Sequence, residues 1–594
     1  MNTIFGVIPL DGRAAPDAWV HSIAARSINV GMSTSVEQSG GVVLGRGWWP
    51  SCADQPMTVA LRDGALMVAD ARLDARDDLA RALDAAPTLA REHGGAGLLG
   101  AAFDRWHDDA WSRVFGEWAC VVWDPRQRVA RLAREACGLT PLYYRIVESH
   151  LLFSTRLSAL LHVPGVPQHV DDEYLATMFA TGIGLEDRTG VRGVRTVRSG
   201  HVVTVTVDQV QVRRYWSCAP GSRVPVRSRE EAAEGLRDVL GRAVRDRLVT
   251  PGAVGLALSG GMDSGSIAAF TGPALKAADR PFLAFTQYPF YDGADVGARM
   301  GDERVTARAT ADMCGVTHWQ PFNSEHVSPV QAIETATGRT CSIGASGVNA
   351  FYLIDLTDLA SASGVHTLLV GQSGNLTSSW IGPPSFAGAV IGFARRHLRL
   401  AGGRLPVNAH AWLSLLAPDF VDRMQLVDRM IVARRRAIGR VSLLDRRFEM
   451  WNELATPHAY RVTDPTLDRR VVEYCWGVDD RWARGPHGEA RWLIRSAMAG
   501  RLPDSVLFGP SRGRQAADII WRLRAHADEV AGAIERLHEH PASGAYLNLR
   551  RVGLLWEQVQ TDSSEVTRRD AAALLCLAIQ IGAFMRLVSS EVPH

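Results

Sequence analysis

Residues 254–270 read VGLALSGGMDSGSIAAF, and the rest of the chain is organised around them. Val254, Leu256, Ala257 and Leu258 form a short apolar run of the kind that makes a buried strand. Ser259, Gly260, Gly261 and Met262 give a small-residue loop, and Asp263 opens a helical pattern. Adjacent glycines let a backbone turn sharply and bring its N–H groups close to a ligand. Successive N–H groups ahead of a helix start make an anion site. Ser259 and Ser264 add hydroxyl donors, and Asp263 is placed to hold a cation beside bound phosphates. No Lys-Ser/Thr follows the glycines, which excludes the Walker-type phosphate loop. An ordinary Gly/Ser strand–helix turn is the competing reading, and it weakens once the surrounding chain is considered.

The chain has 594 residues, enough for roughly four domains or fewer large ones. Its 46% apolar and 22% charged content is ordinary for a globular chain with ample core. A net charge of +2 argues against an extended nucleic-acid surface. Eight cysteines are scattered without CxxC or Cys/His pairing, which favours a reducing compartment over a zinc site or disulfide framework. No basic segment followed by an apolar core opens the sequence, so no signal peptide is expected. The apolar run Ala571 to Met585 contains Gln580 and is too short to span a bilayer; it is expected as a buried helix. These features predict a cytoplasmic protein with no membrane partner.

Residues 1–215 read as strands and turns with a few helices. Leu66–Ala69, Ala119–Asp124, its hairpin partner Val129–Ala133, and Val202–Val207 are expected strands, and Asp77–Leu83 an expected helix. The order predicts an α+β layered sandwich. Pro220, Gly221, Pro225 and the charged run 227–231 mark the crossing into a second domain, 225–594. There a helix Glu231–Leu248 precedes the glycine-loop strand. Strands at 282–286, 318–322 and 365–370 alternate with helices such as Asp302–Met313. That alternation predicts an α/β doubly wound parallel sheet, whose ligands sit beyond the carboxyl ends of its strands.

The SGGMDS loop resembles the pyrophosphate loop of ATP pyrophosphatases, which cut ATP between the α and β phosphates to adenylate a carboxylate. GEWACVVWD (116–124), LAREACGLTPLYY (132–144) and LFSTRLSALL (152–161) resemble the glutaminase domain of asparagine synthetases. The resemblance covers nearly the whole chain. It implies an Ntn-hydrolase-like sandwich over 1–215 and an ATP-pyrophosphatase domain over 225–594. Glutamine hydrolysis in that family uses a cysteine exposed after removal of the first Met. Here the sequence opens Met1-Asn2-Thr3-Ile4 and its first cysteine is Cys52, so the glutaminase-like domain is expected to be inactive.

The remaining site residues follow from the same resemblance. The loop Gly371-Gln372-Ser373-Gly374-Asn375 ends, in asparagine and β-lactam synthetases, in an aspartate that helps bind magnesium and pyrophosphate. Asn375 stands there and offers an amide oxygen without charge. Gln372 falls where β-lactam synthetases carry a catalytic tyrosine. Glu449 precedes Asp464-Pro465-Thr466-Leu467-Asp468 by a spacing like that of the β-lactam synthetases, where a glutamate orients the group that deprotonates the attacking amine. Glu449 is the first candidate for that role and Glu453 the second, against a solvated helix carboxylate. The C-terminal element near 502–515 lacks the family lysine, so Arg512 or Arg514 would carry the phosphate charge. The resemblance thus implies ATP and pyrophosphate contacts at Ala257, Ser259, Gly260, Gly261, Asp263, Ser264, Phe285 and Gly371. It implies Mg2+ at Asp263 and Asn375, and a catalytic set of Glu449, Arg512, Arg514 and Gln372.

A cysteine-less glutaminase-like domain, a GQSGN loop and the segment RGRQAAD together are similar to the lasso-peptide cyclases. These adenylate an Asp or Glu side chain of a precursor peptide, whose N-terminal amine then closes a macrolactam. The resemblance implies ATP and Mg2+, a precursor peptide, and a leader-peptide protease or leader-recognition partner. An asparagine synthetase, a small-molecule lactam synthetase, and a non-catalytic nucleotide- or peptide-binding scaffold are the alternatives. Arg423, Arg429, Arg434, Arg435, Arg436, Arg440, Arg446 and Arg447 make a basic stretch. It reads as a solvated helix face or, alternatively, as a surface for an acidic leader peptide; nucleic acid is disfavoured by the small net charge.

Overall fold

The structure is a computed structural model that describes residues 2–52, 55–84, 94–181, 187–218, 224–291, 299–344, 347–380, 407–435, 448–509 and 512–589. Two antiparallel six-stranded sheets come from the N-terminal part. The first has the order β10-β8-β9-β1-β3-β2. Its strands are β1 (Thr3–Pro9), β2 (Ser33–Ser39), β3 (Val42–Trp48), β8 (Tyr143–Val147), β9 (His150–Ser154) and β10 (Val194–Thr196). The second has the order β12-β11-β7-β6-β5-β4. It comprises β4 (Met57–Ala60), β5 (Leu66–Leu73), β6 (Gly116–Asp124), β7 (Val129–Arg134), β11 (His201–Val205) and β12 (Val210–Arg214).

Ile4, Ile8 and Leu44 of the first sheet pack against Val68, Val121, Leu132 and Val203 of the second. Helix Gly94–Trp106 covers the outer face of the second sheet, with Leu98, Leu99 and Ala102 in the same core as Met67 and Trp118. Helix Asp17–Ser27 covers the first, packing Trp19 and Ile23 near Phe5 and Val7. The result is the expected α+β sandwich, in four layers.

The second half is built on a parallel sheet of order β16-β14-β13-β17-β18. Its strands are β13 (Ala253–Ala257), β14 (Phe282–Gln287), β16 (His318–Phe322), β17 (Val365–Leu369) and β18 (Arg461–Thr463). Val254, Leu256, Phe282, Ala284 and Leu369 share a core with helices Arg229–Arg247 and Met262–Ala277. Phe285, Val365 and Leu368 pack on the other face, with helices Pro329–Thr340 and Ala350–Ala362. Both faces are covered, which is why these strands read as continuous apolar runs. The chain moves outward from β13 to β14 and β16, then returns to the other side for β17 and β18. The reversal therefore falls between β13 and β17, and the two glycine loops that follow these strands meet there.

The apolar run at 571–585 belongs to a longer helix, Glu565–Ser589, of 25 residues. By length and composition that helix could cross a membrane, which corrects the expectation that it is too short. Its most apolar window is 83% buried inside the protein, however, so it is a core helix.

Buried ion pairs join the two halves. Arg72 pairs with Asp74 (2.5 Å) and Glu117 (3.1 Å) in the sandwich. Arg247 bridges Glu117 (3.0 Å) and Asp468 (2.8 Å), and Arg461 reaches Asp70 (3.3 Å). Such a network is stable only while each charge keeps its partner.

Candidate active site

Beyond β13 the chain is held by its neighbours before it turns. The Leu258 N–H donates to the Phe285 carbonyl (2.9 Å), and the Thr286 hydroxyl donates to the Leu258 carbonyl (2.9 Å). The Ser259 N–H then donates to Ser264 Oγ (3.1 Å), and the Gly261 N–H donates to Ser259 Oγ (3.2 Å). Ser264 is buried, so its hydroxyl closes the loop onto the helix start instead of facing a ligand. Gly260 lies directly against Thr306, where a Cβ would collide with the Thr306 hydroxyl; only glycine fits.

The loop forms one wall of a cleft of about 880 Å³. Ser259, Gly260, Gly261 and Asp263 line it together with Glu303, Thr306, Asn375, Arg491, Arg495, Gly513 and Gln515. Asp263 Oδ1 is buried and has no hydrogen-bond partner among the described residues. Burial pushes this carboxyl up, opposed by the nearby Ser379 hydroxyl and by the Arg491 charge. An orphaned carboxylate oxygen in such a cleft fits one divalent ion.

Asn375 does not fit a second. Its Oδ1 accepts from Arg491 Nη2 at 2.6 Å, which corrects the expectation that this amide ligates magnesium. Among the described residues no group of three or more His, Cys, Asp or Glu side chains is placed to hold a metal.

Sequence reasoning missed Glu303, Arg491 and Arg495. Glu303 accepts a hydrogen bond from the Gly260 N–H, while burial pushes its carboxyl up. The Arg495 guanidinium lies 5.7 Å from the Phe508 ring centre, and its Nε donates to the Ala490 carbonyl (3.1 Å). No local pattern marks them: Arg491 precedes the helix Trp492–Met498 that carries Arg495, and Glu303 comes from a distant segment.

Gly371 and Gln372 follow β17. A Cβ on Gly371 would stand 2.9 Å from the Asp263 backbone, so this loop packs on the helix start. The Ser373 N–H donates to Asp464 Oδ2 (2.9 Å), and Asp464 also accepts from the Thr466 N–H and hydroxyl; burial pushes its carboxyl to about 6. Gln372 is half-buried and outside the cleft lining. Ala257 and Phe285 are paired in register between β13 and β14, at the carboxyl ends of those strands.

Three expectations change with the geometry. The Glu449 carboxylate accepts from buried Arg134 at 2.7 Å and lies near Tyr143 and Thr196 (both 3.4 Å), so it faces the sandwich instead of the cleft. Arg514 is buried and paired with Glu565 (3.0 Å), beside a second cavity of about 430 Å³ that shares Gly513 and Gln515 with the first. A guanidinium committed there does not line the phosphate loop. Arg423 and Arg429 of the basic stretch pair with Asp172 (2.6 Å) and Glu173 (2.8 Å), and neither is a free surface charge. The backbone of Arg512 pairs with β15 (Arg299–Met300) as part of β19 (Arg512–Gly513). Its side chain lies outside the described residues, as do Arg436, Arg440, Arg446, Arg447 and the side chains of Arg434 and Arg435.

A cleft with a buried carboxylate and two arginines in its lining has the chemistry to take nucleotide phosphates beside a divalent ion. Placed at the reversal of a parallel sheet and joined to an amidotransferase-type sandwich, it defines an amide-forming ligase that uses ATP. The asparagine synthase family matches residues 235–377 and 433–585, and the glutamine amidotransferase domain matches 50–216. The chain belongs to the asparagine synthetase superfamily and is an ATP-dependent carbon–nitrogen ligase. It is 23% identical to asparagine synthetase [glutamine-hydrolyzing] 3 of Bacillus subtilis, over 76% of this chain and 76% of that protein. It is 25% identical to the carboxyethyl-arginine beta-lactam-synthase of Streptomyces clavuligerus, over 74% and 71% respectively. An amidase of Penicillium rubens, chyE, is 27% identical over 44% of this chain and 39% of its own length.

Proposed function

We propose that this ligase is a macrolactam-forming enzyme of the lasso-peptide cyclase kind. It adenylates an Asp or Glu side chain of a ribosomal precursor peptide, and the peptide's own N-terminal amine closes the ring. The observation that carries this reading is a cleft walled by the 259–263 loop and by Arg491 and Arg495, coupled to a sandwich with no thiol at the start of β1. Thr3 is fully buried there, its hydroxyl accepting from Thr155 (3.1 Å). Cys52 is half-buried and the other seven cysteines are buried. A nitrogen carried by the substrate takes the place of one drawn from glutamine under this reading.

In the first step a carboxylate oxygen attacks the α-phosphorus. The bond from that phosphorus to the bridging oxygen breaks, and pyrophosphate leaves with the electron pair. Arg491 and Arg495, which line the cleft beside the 259–261 loop, receive its charge. Mg2+, held through Asp263, supplies charge neutralisation on the phosphates when bound. In the second step the amine nitrogen attacks the acyl carbon and loses a proton, and AMP departs. Holding amine and acyl group together in a folded peptide supplies most of the rate. A leader-peptide protease or leader-recognition protein would prepare the substrate, and the reaction fits the cytoplasm.

The test is pyrophosphate release from ATP-Mg with and without a candidate precursor peptide, followed by mass spectrometry. Peptide-dependent release and a product lighter by one water support the cyclase. Release with free aspartate and ammonia supports an asparagine synthetase, and release with a free β-amino acid supports a small-molecule lactam synthetase. ATP binding without release for any acceptor supports a scaffold.

A further inference from the structure

We propose that the Arg491 guanidinium, docked on the Asn375 amide, takes the place of a cation at this end of the cleft. Nucleotide binding then uses one divalent ion, at Asp263, and one fixed positive charge. The proposal rests on the reading of the cleft as a nucleotide-phosphate site.

Three observations meet here. Oδ1 is the one oxygen the Asn375 side chain can offer a metal, and it accepts from Arg491 Nη2 at 2.6 Å. A guanidinium stays protonated at any working pH, and a divalent ion at that oxygen would have to displace it against like-charge repulsion. Second, Gly374, next to Asn375, lies against the Asp263 carboxylate, so the guanidinium and the orphaned carboxylate oxygen share one end of the cleft. Among the described residues, the carboxylates in the lining are Asp263 and Glu303, and Glu303 is engaged by the Gly260 N–H. Among the described residues, no acidic side chain in the lining therefore stands at the Asn375 position to complete a second ion site. Third, Arg491 has φ +60°, a left-handed conformation unfavourable for any residue with a Cβ, at the entry to helix Trp492–Met498. Backbone strain of this sort persists where its surroundings hold it, and here it accompanies the bond to Asn375. A planar fork suits two phosphate oxygens at once, a task a metal performs by bridging them.

The experiment counts metal. The full-length protein is mixed with Mn2+ and α,β-methylene-ATP, and bound Mn2+ is measured by electron paramagnetic resonance. One protein-bound Mn2+ per complex is expected, rising to two in the N375D/R491Q double variant, which restores a carboxylate and removes the competing cation. In metal-free buffer, R491Q should weaken binding of inorganic pyrophosphate by about tenfold or more. R491K, which keeps the charge without the fork, should fall between. Two Mn2+ ions in the wild type would overturn the proposal while leaving the nucleotide reading intact. So would R491Q binding metal-free pyrophosphate as tightly as the wild type. Absence of α,β-methylene-ATP binding under every metal condition would overturn both.

Discussion

Arg134 Nη1 lies 2.7 Å from Glu449 Oε1, joining β7 of the sandwich to the short helix Glu449–Leu454 of the second half. Arg134 is fully buried and also donates to the carbonyls of Gly138 (2.8 Å) and Val197 (3.0 Å). Removing its carboxylate partner strands a buried charge. E449A is therefore expected to lose about 3–5 kcal/mol of unfolding free energy, read from urea denaturation. If E449A unfolds at the wild-type midpoint yet loses turnover, Glu449 belongs with the reacting atoms after all.

Asp263 combines a buried, orphaned carboxylate oxygen with a central place in the cleft. D263N removes the burden of a buried charge, so its thermal midpoint should equal or exceed that of the wild type. Pyrophosphate release should fall about a hundredfold or more, since a cation on the phosphates is worth several kcal/mol. A destabilised D263N would show that the carboxylate serves the fold.

Glu453 gives the stability a pH dependence. It is buried beside Arg156, accepts from the Leu157 N–H (3.3 Å), and is pushed up to about 8, chiefly by burial. An unfolded glutamate titrates near 4.5, so between that value and about 8 the native state holds the extra proton. Its contribution is complete below the lower value and is lost as pH rises through the upper one. Denaturation midpoints should decline from about pH 5 to about pH 8, and E453Q should flatten that slope. Equal slopes in the two proteins would place the native carboxyl in its ordinary range.

Arg514 and Arg495 should separate cleanly. R514A breaks the pair with Glu565 and should lower stability with little change in affinity for an ATP analogue. R495A removes a cation from the cleft and should weaken that analogue about tenfold, which equilibrium titration would reveal. The reverse pattern would exchange their assignments.

Much of this was readable along the chain. The loop at 259–264 and the apolar strands at 254–257, 282–287 and 365–369 are local patterns, and local patterns survive folding. β1 is harder, because TIFGVIP is buried on both faces and shows no alternation. β12 is exposed along its whole length, so Val210 and Val212 alternate there without a buried face to mark the strand. The site was legible only where it is contiguous. Glu303, Arg491 and Arg495 reach the cleft from distant segments, and no spacing announces that. Glu449 was misplaced for a related reason: its distance along the chain from Asp464 says nothing about which face of its helix meets Arg134.

Carboxylate adenylation is tested most directly by following heavy oxygen. A precursor peptide labelled in its acceptor carboxylate is incubated with ATP-Mg and enzyme, and the phosphorus products are resolved by mass spectrometry. Adenylation predicts one labelled oxygen in AMP, none in pyrophosphate, and a peptide lighter by one water. Label in inorganic phosphate, or amide formation with unlabelled AMP, would contradict it.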